Sequence, residues 1–301
     1  MHFNLITILG PTATGKTRLA SQLAQRYSGE IISADSRQVY TGMDIGTGKD
    51  YQDYVINNEK INCYLIDIVP PNQEFNLFMF KELFAKSFSD ILSRNKFPFL
   101  VGGTGLYISS IVQNYDLKKA DFNSKRLAEL GRLELEELKH LLLSLNPKVR
   151  NTNDLRSKER LIKAILVAES NEELKDYPKI NALVIGVKAK RDVIKRKITE
   201  RLKKRLDEGM IDEVKRLLES GVSYERLESF GLEYKFISLH LRGELSSEEM
   251  FQKLNTAIHQ FSKRQMTWFR KMEREGVEIN WVNGADFDFA CAIIDEKLGA
   301  T

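Results

Sequence analysis

A glycine-rich turn between a short apolar run and a helical segment constrains the fold of this chain more than any other feature. The run Leu5–Leu9 leads directly into Gly10-Pro-Thr-Ala-Thr-Gly-Lys-Thr17, and residues 18–26 have a helical pattern. This spacing is typical of a loop whose backbone N–H groups and following helix surround a phosphate. A chance Gly/Thr loop is the competing explanation, and the strand and helix on either side argue against it. We therefore predict that a diphosphate or triphosphate binds here.

Each residue of this phosphate loop, residues 10–17, has an expected task. The glycines let the backbone curl around the anion, Lys16 reaches terminal phosphate oxygens, and the Thr17 hydroxyl is expected to bind Mg²⁺. The predicted diphosphate-binding residues are Gly10, Pro11, Thr12, Ala13, Thr14, Gly15, Lys16 and Thr17. The loop alone does not indicate which group leaves the diphosphate.

The composition predicts an ordinary globular protein. The chain has 301 residues, of which 42% are hydrophobic and 29% charged, enough for one or two domains with a buried core. It has no apolar run long enough to span a membrane and no N-terminal secretory pattern, so we expect a cytoplasmic protein. The two cysteines, Cys63 and Cys291, indicate neither a disulfide framework nor a cysteine-based zinc site. A net charge of +4 permits a nucleic-acid partner without requiring one.

Strand-like runs alternate with helical patterns, which predicts an α/β fold: a P-loop NTPase-like parallel sheet flanked by helices. The predicted strands after the first are residues 30–33, 64–69, 96–101, 181–187 and 278–282. Ligands of such sheets bind beyond the carboxyl ends of the strands. Asp35 follows the second strand and is therefore expected beside the phosphate loop, although an Asp at this point also caps a turn. Thr104, in a second glycine turn, is expected to face the same cleft.

Two further groups of residues have more than one interpretation. Asp67, in the predicted strand 64–69, is either a metal-site carboxylate or a turn residue. Residues 188–205 are strongly basic and helical, which suits contact with phosphates of a nucleic acid or of the bound diphosphate, or a solubilising surface helix.

The predicted domain organisation has a helical insertion within the α/β core. Strand patterns stop between residues 115 and 180, where apolar residues recur at helical spacing with a break at Asn146-Pro147. The core then comprises residues 1–114 and 181–301, the second part including the basic helix and the C-terminal helices. The mixed charges of the insertion are typical of a solvated face.

Taken together, these separated motifs resemble the bacterial tRNA dimethylallyltransferase family. The matching pieces are the phosphate loop, Asp35-Ser36 with residues 39–47, residues 65–68, Gly102-Gly-Thr-Gly-Leu-Tyr107, Arg201 eight residues before Gly209, and Lys263-Arg-Gln-Met-Thr-Trp-Phe-Arg270. The resemblance extends from Gly10 to Arg270 and is weakest in the insertion.

The resemblance implies transfer of a dimethylallyl group from dimethylallyl diphosphate to N6 of adenine-37 of a tRNA, with Mg²⁺. It implies that Asp35 is the general base and that Lys16, Thr17 and Arg201 act on the diphosphate. Where the family has Gln-Arg-x-x-Arg, this chain has Glu159-Arg160-Leu-Ile-Lys163, expected against the anticodon stem. The expected tRNA contacts are Asp35, Ser36, Arg37, Gln38, Thr104, Arg126, Glu159, Arg160, Leu161, Ile162 and Lys163. A monomer is expected.

Two other functions fit the same phosphate loop. A small-molecule kinase of the shikimate or nucleotide type shares the loop, the parallel sheet and a helical lid. A nucleotide-gated RNA-binding protein without transfer chemistry is the third possibility.

Overall fold

The computed structural model describes residues 3–115, 118–119, 125–145, 157–170, 172–173 and 177–299. It divides into two compact units, one formed by Met1–Asn114 with Pro178–Thr301 and the other by Tyr115–Tyr177. The second unit is thus inserted into the first.

The first unit is built on a parallel sheet. In chain order the strands of this unit are β1 (Leu5–Leu9), β2 (Gly29–Ala34), β3 (Val55–Ile56), β4 (Glu59–Lys60), β5 (Cys63–Tyr64) and β6 (Phe97–Gly102), then β9 (Ala182–Lys188) and β10 (Asn280–Asn283) after the second unit. Six of them form one sheet in the order β10-β9-β1-β6-β2-β5 with parallel pairing throughout, and β3 pairs antiparallel with β4. The predicted α/β fold with a parallel sheet is confirmed.

The predicted strand 64–69 is wrong in extent. Only Cys63–Tyr64 pairs with β2, because Leu65 and Asp67 have positive φ angles of 65° and 55°, which no regular strand accommodates. Further along, Val69 forms an isolated parallel bridge with Tyr40.

Helices cover the sheet and form a second layer beside it. They are α1 (Lys16–Arg26), α2 (Leu77–Ser93), α3 (Gly105–Val112), α7 (Arg191–Asp207), α8 (Met210–Glu219), α9 (Tyr224–Ser229), α10 (Leu232–Leu241), α11 (Ser247–Arg274) and α12 (Phe287–Gly299), with a 3₁₀ helix at Tyr51–Tyr54. One apolar core joins the sheet to α1 and α12 through Ile6, Leu23 and Ile294. Another joins α7 to α11 through Ile198, Tyr234 and Leu254.

The long helix α11 has a complete N-terminal cap. The Ser246 side chain accepts a hydrogen bond from the Glu249 N–H, and the Glu249 carboxylate accepts one from the Ser246 N–H. This reciprocal capping box satisfies two backbone donors that a helix otherwise leaves unpaired. It fixes where α11 begins, and so which of its residues reach the carboxyl ends of the strands.

The second unit contains α4 (Lys125–Leu130), α5 (Leu135–Leu145), α6 (Lys158–Glu169) and a two-stranded pair, β7 (Lys118–Lys119) with β8 (Glu172–Glu173). Its core is a leucine and isoleucine cluster that includes Leu130, Leu138 and Ile165. The predicted break at Asn146-Pro147 lies outside the described residues. Within the described ranges, no helix is long and apolar enough to cross a membrane.

Candidate active site

Three strands end side by side at one edge of the sheet. Leu9 pairs with Gly102, and Gly102 pairs with Ala34, so β1, β6 and β2 end in register. The residues that follow are Gly10, Gly103 and Asp35. Since neighbouring strands lie about 4.8 Å apart, the strand carrying Asp35 ends about 10 Å from the one carrying the phosphate loop. The predicted juxtaposition of carboxylate and phosphate loop is therefore present.

The phosphate loop has the backbone geometry of an anion-binding turn. Ala13 and Gly15 have φ angles of 65° and 82°, and α1 begins at Lys16. The Thr14 hydroxyl donates to the Pro11 carbonyl at 2.9 Å, which closes the turn. Alternating left-handed and right-handed residues direct successive N–H groups to one side, and the start of α1 adds its partial positive charge.

The loop is surrounded by cations that lack neutralising partners. Burial, followed by the positive charge of Arg201, lowers the pKa of Lys16 to about 8, against the opposing effect of Asp35. Burial, followed by the charge of Arg205, lowers the pKa of Arg201 to about 10. In the part of the chain that the structure describes, neither Lys16 nor Arg201 forms an ion pair; Arg201 donates to the Thr12 hydroxyl. An anion bound here would relieve this positive excess.

Asp35 both caps a turn and faces the site. Its Oδ1 accepts hydrogen bonds from the N–H groups of Arg37 at 2.9 Å and Gln38 at 3.4 Å. No described residue donates to Oδ2. The negative charge of Asp35 nevertheless acts on both Lys16 and Arg201. The two interpretations of Asp35 are therefore compatible, because Oδ1 accepts the hydrogen bonds of the turn and Oδ2 has no donor among the described residues.

Thr104 contacts the turn of residues 35–38, which we call the Asp35 turn. Its Oγ1 accepts from the Ser36 N–H at 3.1 Å and lies 3.5 Å from the Ser36 hydroxyl, and its own N–H donates to the Ala34 carbonyl at 3.2 Å. The structure thus brings Ser36, Thr104 and Asp35 together.

The side chains of Arg37 and Gln38 contact other residues of this chain. The Gln38 amide donates to the Gly48 carbonyl at 2.9 Å and accepts from the Ser33 hydroxyl at 3.3 Å. The Arg37 guanidinium lies 5.6 Å from the centre of the Phe230 ring and donates to the Ser229 carbonyl at 3.4 Å. Gln38 therefore fixes the loop around Gly48, which the sequence did not predict.

Asp67 lies in an ion-pair network rather than at the phosphate loop. It pairs with the buried ammonium of Lys49 and accepts a hydrogen bond from the Tyr51 hydroxyl. Lys49 also donates to Asp44 at 2.8 Å and to the Tyr40 carbonyl at 2.6 Å. Of the two interpretations of Asp67, the structure supports the turn residue.

Comparisons with known proteins agree with this geometry. A family model described as IPP transferase matches residues 38–272, and one described as isopentenyl transferase matches residues 3–69. The tRNA dimethylallyltransferase 2 of Syntrophotalea carbinolica is 51% identical over 289 residues, which cover 95% of this chain and 96% of that protein. The tRNA dimethylallyltransferase 1 of Syntrophus aciditrophicus is 49% identical over 293 residues, 96% of each chain.

A solved structure has the same fold. The full-length tRNA isopentenylpyrophosphate transferase from Bacillus halodurans superposes with a TM-score of 0.70 at 31% identity, covering 99% of this chain and 96% of that one. The chain belongs to the tRNA dimethylallyltransferase family. The resemblance predicted from the motifs is confirmed, and the kinase alternative is not favoured.

In this tRNA dimethylallyltransferase family member, two of the residues predicted to contact tRNA lie in the core of the inserted unit. Leu161 and Ile162 are buried in the core of the inserted unit, so their side chains do not face a partner. Arg126 joins α4 to α6 through a two-point ion pair with Glu169 at 2.7 and 3.1 Å, and it also pairs with Glu129. The charge of Arg126 is therefore paired within the inserted unit, and its contact with tRNA stays a prediction.

Of the remaining predicted residues in α6, Glu159 and Lys163 pair with each other at 2.9 Å. Arg160 is exposed and has no ion-pair partner within the described ranges. Of the residues of this helix predicted to contact tRNA, Arg160 is thus the cation that no described carboxylate pairs with.

Three residues near the site of this family member were not predicted. Arg205 lies buried one turn after Arg201, 3.4 Å from Asp50 and so close to Gly48 that a side chain there would collide with it. Glu233 has its pKa raised by burial, with Arg205 and Arg201 acting in the opposite direction. The third is Gln265. The i, i+4 spacing of Arg201 and Arg205 is a sequence signal for Arg205, and the motif of residues 263–270 contains Gln265.

Proposed function

We propose that this chain transfers a dimethylallyl group from dimethylallyl diphosphate to N6 of adenine-37 in the anticodon stem-loop of a tRNA, and releases diphosphate. The observation that carries the proposal is the in-register end of β1, β6 and β2, which brings the phosphate loop and Asp35 to one edge. The names of the relatives support the same chemistry. Because one chain supplies both parts of the site, we propose a monomer, acting on tRNA in the cytoplasm.

The cationic surroundings of the phosphate loop suit a leaving diphosphate. When the bond between C1 of the allyl group and the diphosphate oxygen breaks, its electron pair goes to the diphosphate. Lys16, Arg201 and the loop N–H groups would take up the negative charge that develops there. The allylic carbon that remains carries positive charge by delocalisation, and this opens it to a weak nucleophile.

Asp35 suits the acceptor side. The N6 lone pair of adenine is delocalised into the ring, so a carboxylate that accepts the N6 proton assists formation of the new N–C bond. The free Oδ2 of Asp35 would take that proton. A stacked base does not reach the edge of the sheet, so we propose that the adenine leaves its stack and that Asp35 and Ser36 read its edge.

The residues present fit a hydrated Mg²⁺ held mainly by the diphosphate. The Thr17 hydroxyl at the start of α1 makes no hydrogen bond within the described part of the chain. No group of three or more His, Cys, Asp and Glu residues is arranged to hold a metal among the described residues. Thr17 and diphosphate oxygens would therefore supply ligands, as is usual for this ion. When bound, Mg²⁺ would neutralise charge on the leaving group.

Helix α7 supports the proposed tRNA contact. Its apolar residues Ile198 and Leu202 are buried, whereas Lys195, Lys197 and Lys203 are exposed. Exposed cations on one helix are the usual means of binding a phosphate backbone.

One assay separates the three candidate functions. Wild-type protein is incubated with Mg²⁺, undermodified tRNA and dimethylallyl diphosphate labelled in the allyl group. Label in adenine-37 of the RNA is the expected result. ATP-dependent phosphorylation of a metabolite, or retardation of tRNA without transfer of label, would contradict the proposal.

A further inference from the structure

A buried amide on α11 connects the two glycine turns of the site. The Gln265 Oε1 accepts a hydrogen bond from the Thr12 N–H at 2.9 Å, and its Nε2 donates to the Gly103 carbonyl at 3.0 Å. Both partners are backbone groups, one in the phosphate loop and the other in the turn after β6. The Gln265 side chain is 7% exposed, so it does not present its amide to solvent.

The contact is close on both sides. A Cβ at Gly103 would overlap the Gln265 Nε2 and would lie 3.3 Å from the Gly10 carbonyl oxygen. The two turns therefore touch, and the absence of a side chain at Gly103 is what allows the amide to reach them. Any larger residue at this position would displace the Gln265 amide.

The contacts continue in both directions from Gln265. On one side, the Thr12 hydroxyl accepts from Arg201, which belongs to the diphosphate site. On the other side, Thr104 follows Gly103 and accepts from the Ser36 N–H in the Asp35 turn. Gln265 thus lies between the part of the site that would hold the leaving group and the part that would hold the proton acceptor.

We propose that Gln265 is a positioning residue that keeps the phosphate loop and the Gly103–Thr104 turn at a fixed separation. The inference rests on the proposed function, because its consequence is that C1 of the donor and N6 of the adenine face each other. A neutral amide suits this task, since it donates at one end and accepts at the other without adding charge beside a diphosphate. Displacement of reacting groups by a fraction of an ångström to an ångström is costly in rate.

The test compares Gln265→Met and Gln265→Glu with Trp268→Phe as the matched control. Trp268 lies one turn later on α11, where its indole N–H donates to the Ser109 hydroxyl at 2.7 Å and its ring lies beside Gly105. For each variant we would measure Tm, the affinity for inorganic diphosphate by calorimetry, and kcat and KM of label transfer. We expect Gln265→Met to lower kcat roughly tenfold or more. It should also weaken diphosphate binding about three- to tenfold, the range for one hydrogen bond.

Gln265→Glu provides a signature that a merely structural role would not give. A protonated Glu donates and accepts as the amide does, whereas its ionised form loses the donor and repels diphosphate. The ratio of its kcat/KM to that of the wild type should therefore rise as the pH falls from 8 to 6. The same ratio for Gln265→Met should stay constant.

The inference is overturned if Gln265→Met keeps kcat and diphosphate affinity within twofold of wild type, or loses no more than Trp268→Phe. It is also overturned if the kcat/KM of Gln265→Glu relative to wild type does not change with pH. If Gln265→Met does not fold, this pH dependence is the deciding measurement. If the wild type transfers no label, the proposed function fails instead. Diphosphate calorimetry still tests Gln265 in that case.

Discussion

Strand β2 has an acidic residue at each end, and the two have opposite surroundings. Glu30, near the amino end, accepts from Arg94 at 2.6 and 2.7 Å, from Asn62 at 2.9 Å and from the Tyr64 hydroxyl at 2.8 Å. These donors, Arg94 first, lower its pKa to about 2. Asp35, just beyond the carboxyl end, keeps one oxygen without a donor among the described residues.

The cations near the two ends differ in the same way. Arg94 is paired and its pKa is raised, chiefly by its hydrogen bonds to Glu30. Lys16 and Arg201, both half-buried, have no ion-pair partners in the described ranges, and desolvation lowers their pKa values. A charged side chain that is paired within the protein contributes to the stability of the fold. A charged side chain that is desolvated without a partner can instead pair with a ligand of opposite charge. We therefore expect Glu30 to affect the stability of the fold and Asp35 to affect the reaction.

The largest expected effect is on Asp35. Asp35→Ala should lower kcat roughly a hundredfold or more, the usual range for loss of a general base, while diphosphate and tRNA binding stay nearly unchanged. Single-turnover transfer of label and separate binding measurements check this. Asp67→Asn, which removes a carboxylate held by Lys49, is the matched control and should keep kcat within about threefold. Unchanged turnover in Asp35→Ala would remove Asp35 from this role.

The lowered pKa of Lys16 predicts a pH dependence. Its folded pKa of about 8 means that the ammonium, which attracts diphosphate, loses its proton above that pH. The kcat/KM for the donor, which reports the free enzyme, should fall about tenfold per pH unit above pH 8. Lys16→Arg, slower but permanently charged, should show no such fall up to pH 9.5. A flat wild-type profile would contradict the assignment.

At the other end of β2, Glu30→Gln should affect stability and not turnover. Its folded pKa of about 2 lies below its ordinary value of 4.5, so its contribution is present above pH 4.5 and is lost as the pH falls toward 2. We expect Glu30→Gln to lower the free energy of unfolding at pH 7 by about 1 to 2 kcal/mol, since the partly exposed Arg94 is screened by solvent. Urea unfolding at pH 7 and pH 3 checks this, and the difference from wild type should shrink at pH 3. A loss of turnover at unchanged stability would reverse the comparison.

The smallest effect is expected in the inserted unit, where paired and unpaired cations again differ. Arg160→Ala should reduce the slope of log affinity for tRNA against log salt by about 1, as expected for one lost phosphate contact. Arg126→Ala should leave that slope unchanged and lower stability by less than about 1 kcal/mol, because its charge is used by Glu169 and Glu129. Equal slopes for both variants would show that the ion pairs do not decide which residues contact RNA.

The parts of the site that could be predicted follow directly from strands. The phosphate loop is a local pattern, and Asp35 and Thr104 follow strands whose parallel arrangement brings their ends together. The short β5 was not predictable in the same way, because the positive φ angles of Leu65 and Asp67 depend on contacts with Lys49 and the chain around Val39.

The residues contributed by helices were harder to predict. Gln265 reaches the phosphate loop from 253 positions away, and its role depends on how α11 crosses the strand ends. Leu161 and Ile162 match a family motif by position, but the burial of one helix face decides which side chains of that motif are available. A motif therefore locates a helix, and its packing determines which residues act.

The most direct test of the central claim is a crystal structure with a non-transferable analogue of dimethylallyl diphosphate and an anticodon stem-loop. We expect the diphosphate to lie against Lys16 and Arg201, and the adenine to lie outside its stack with N6 about 3 Å from Oδ2 of Asp35. An adenine still stacked in the loop, or one bound away from Asp35 while the diphosphate occupies residues 10–17, would contradict it.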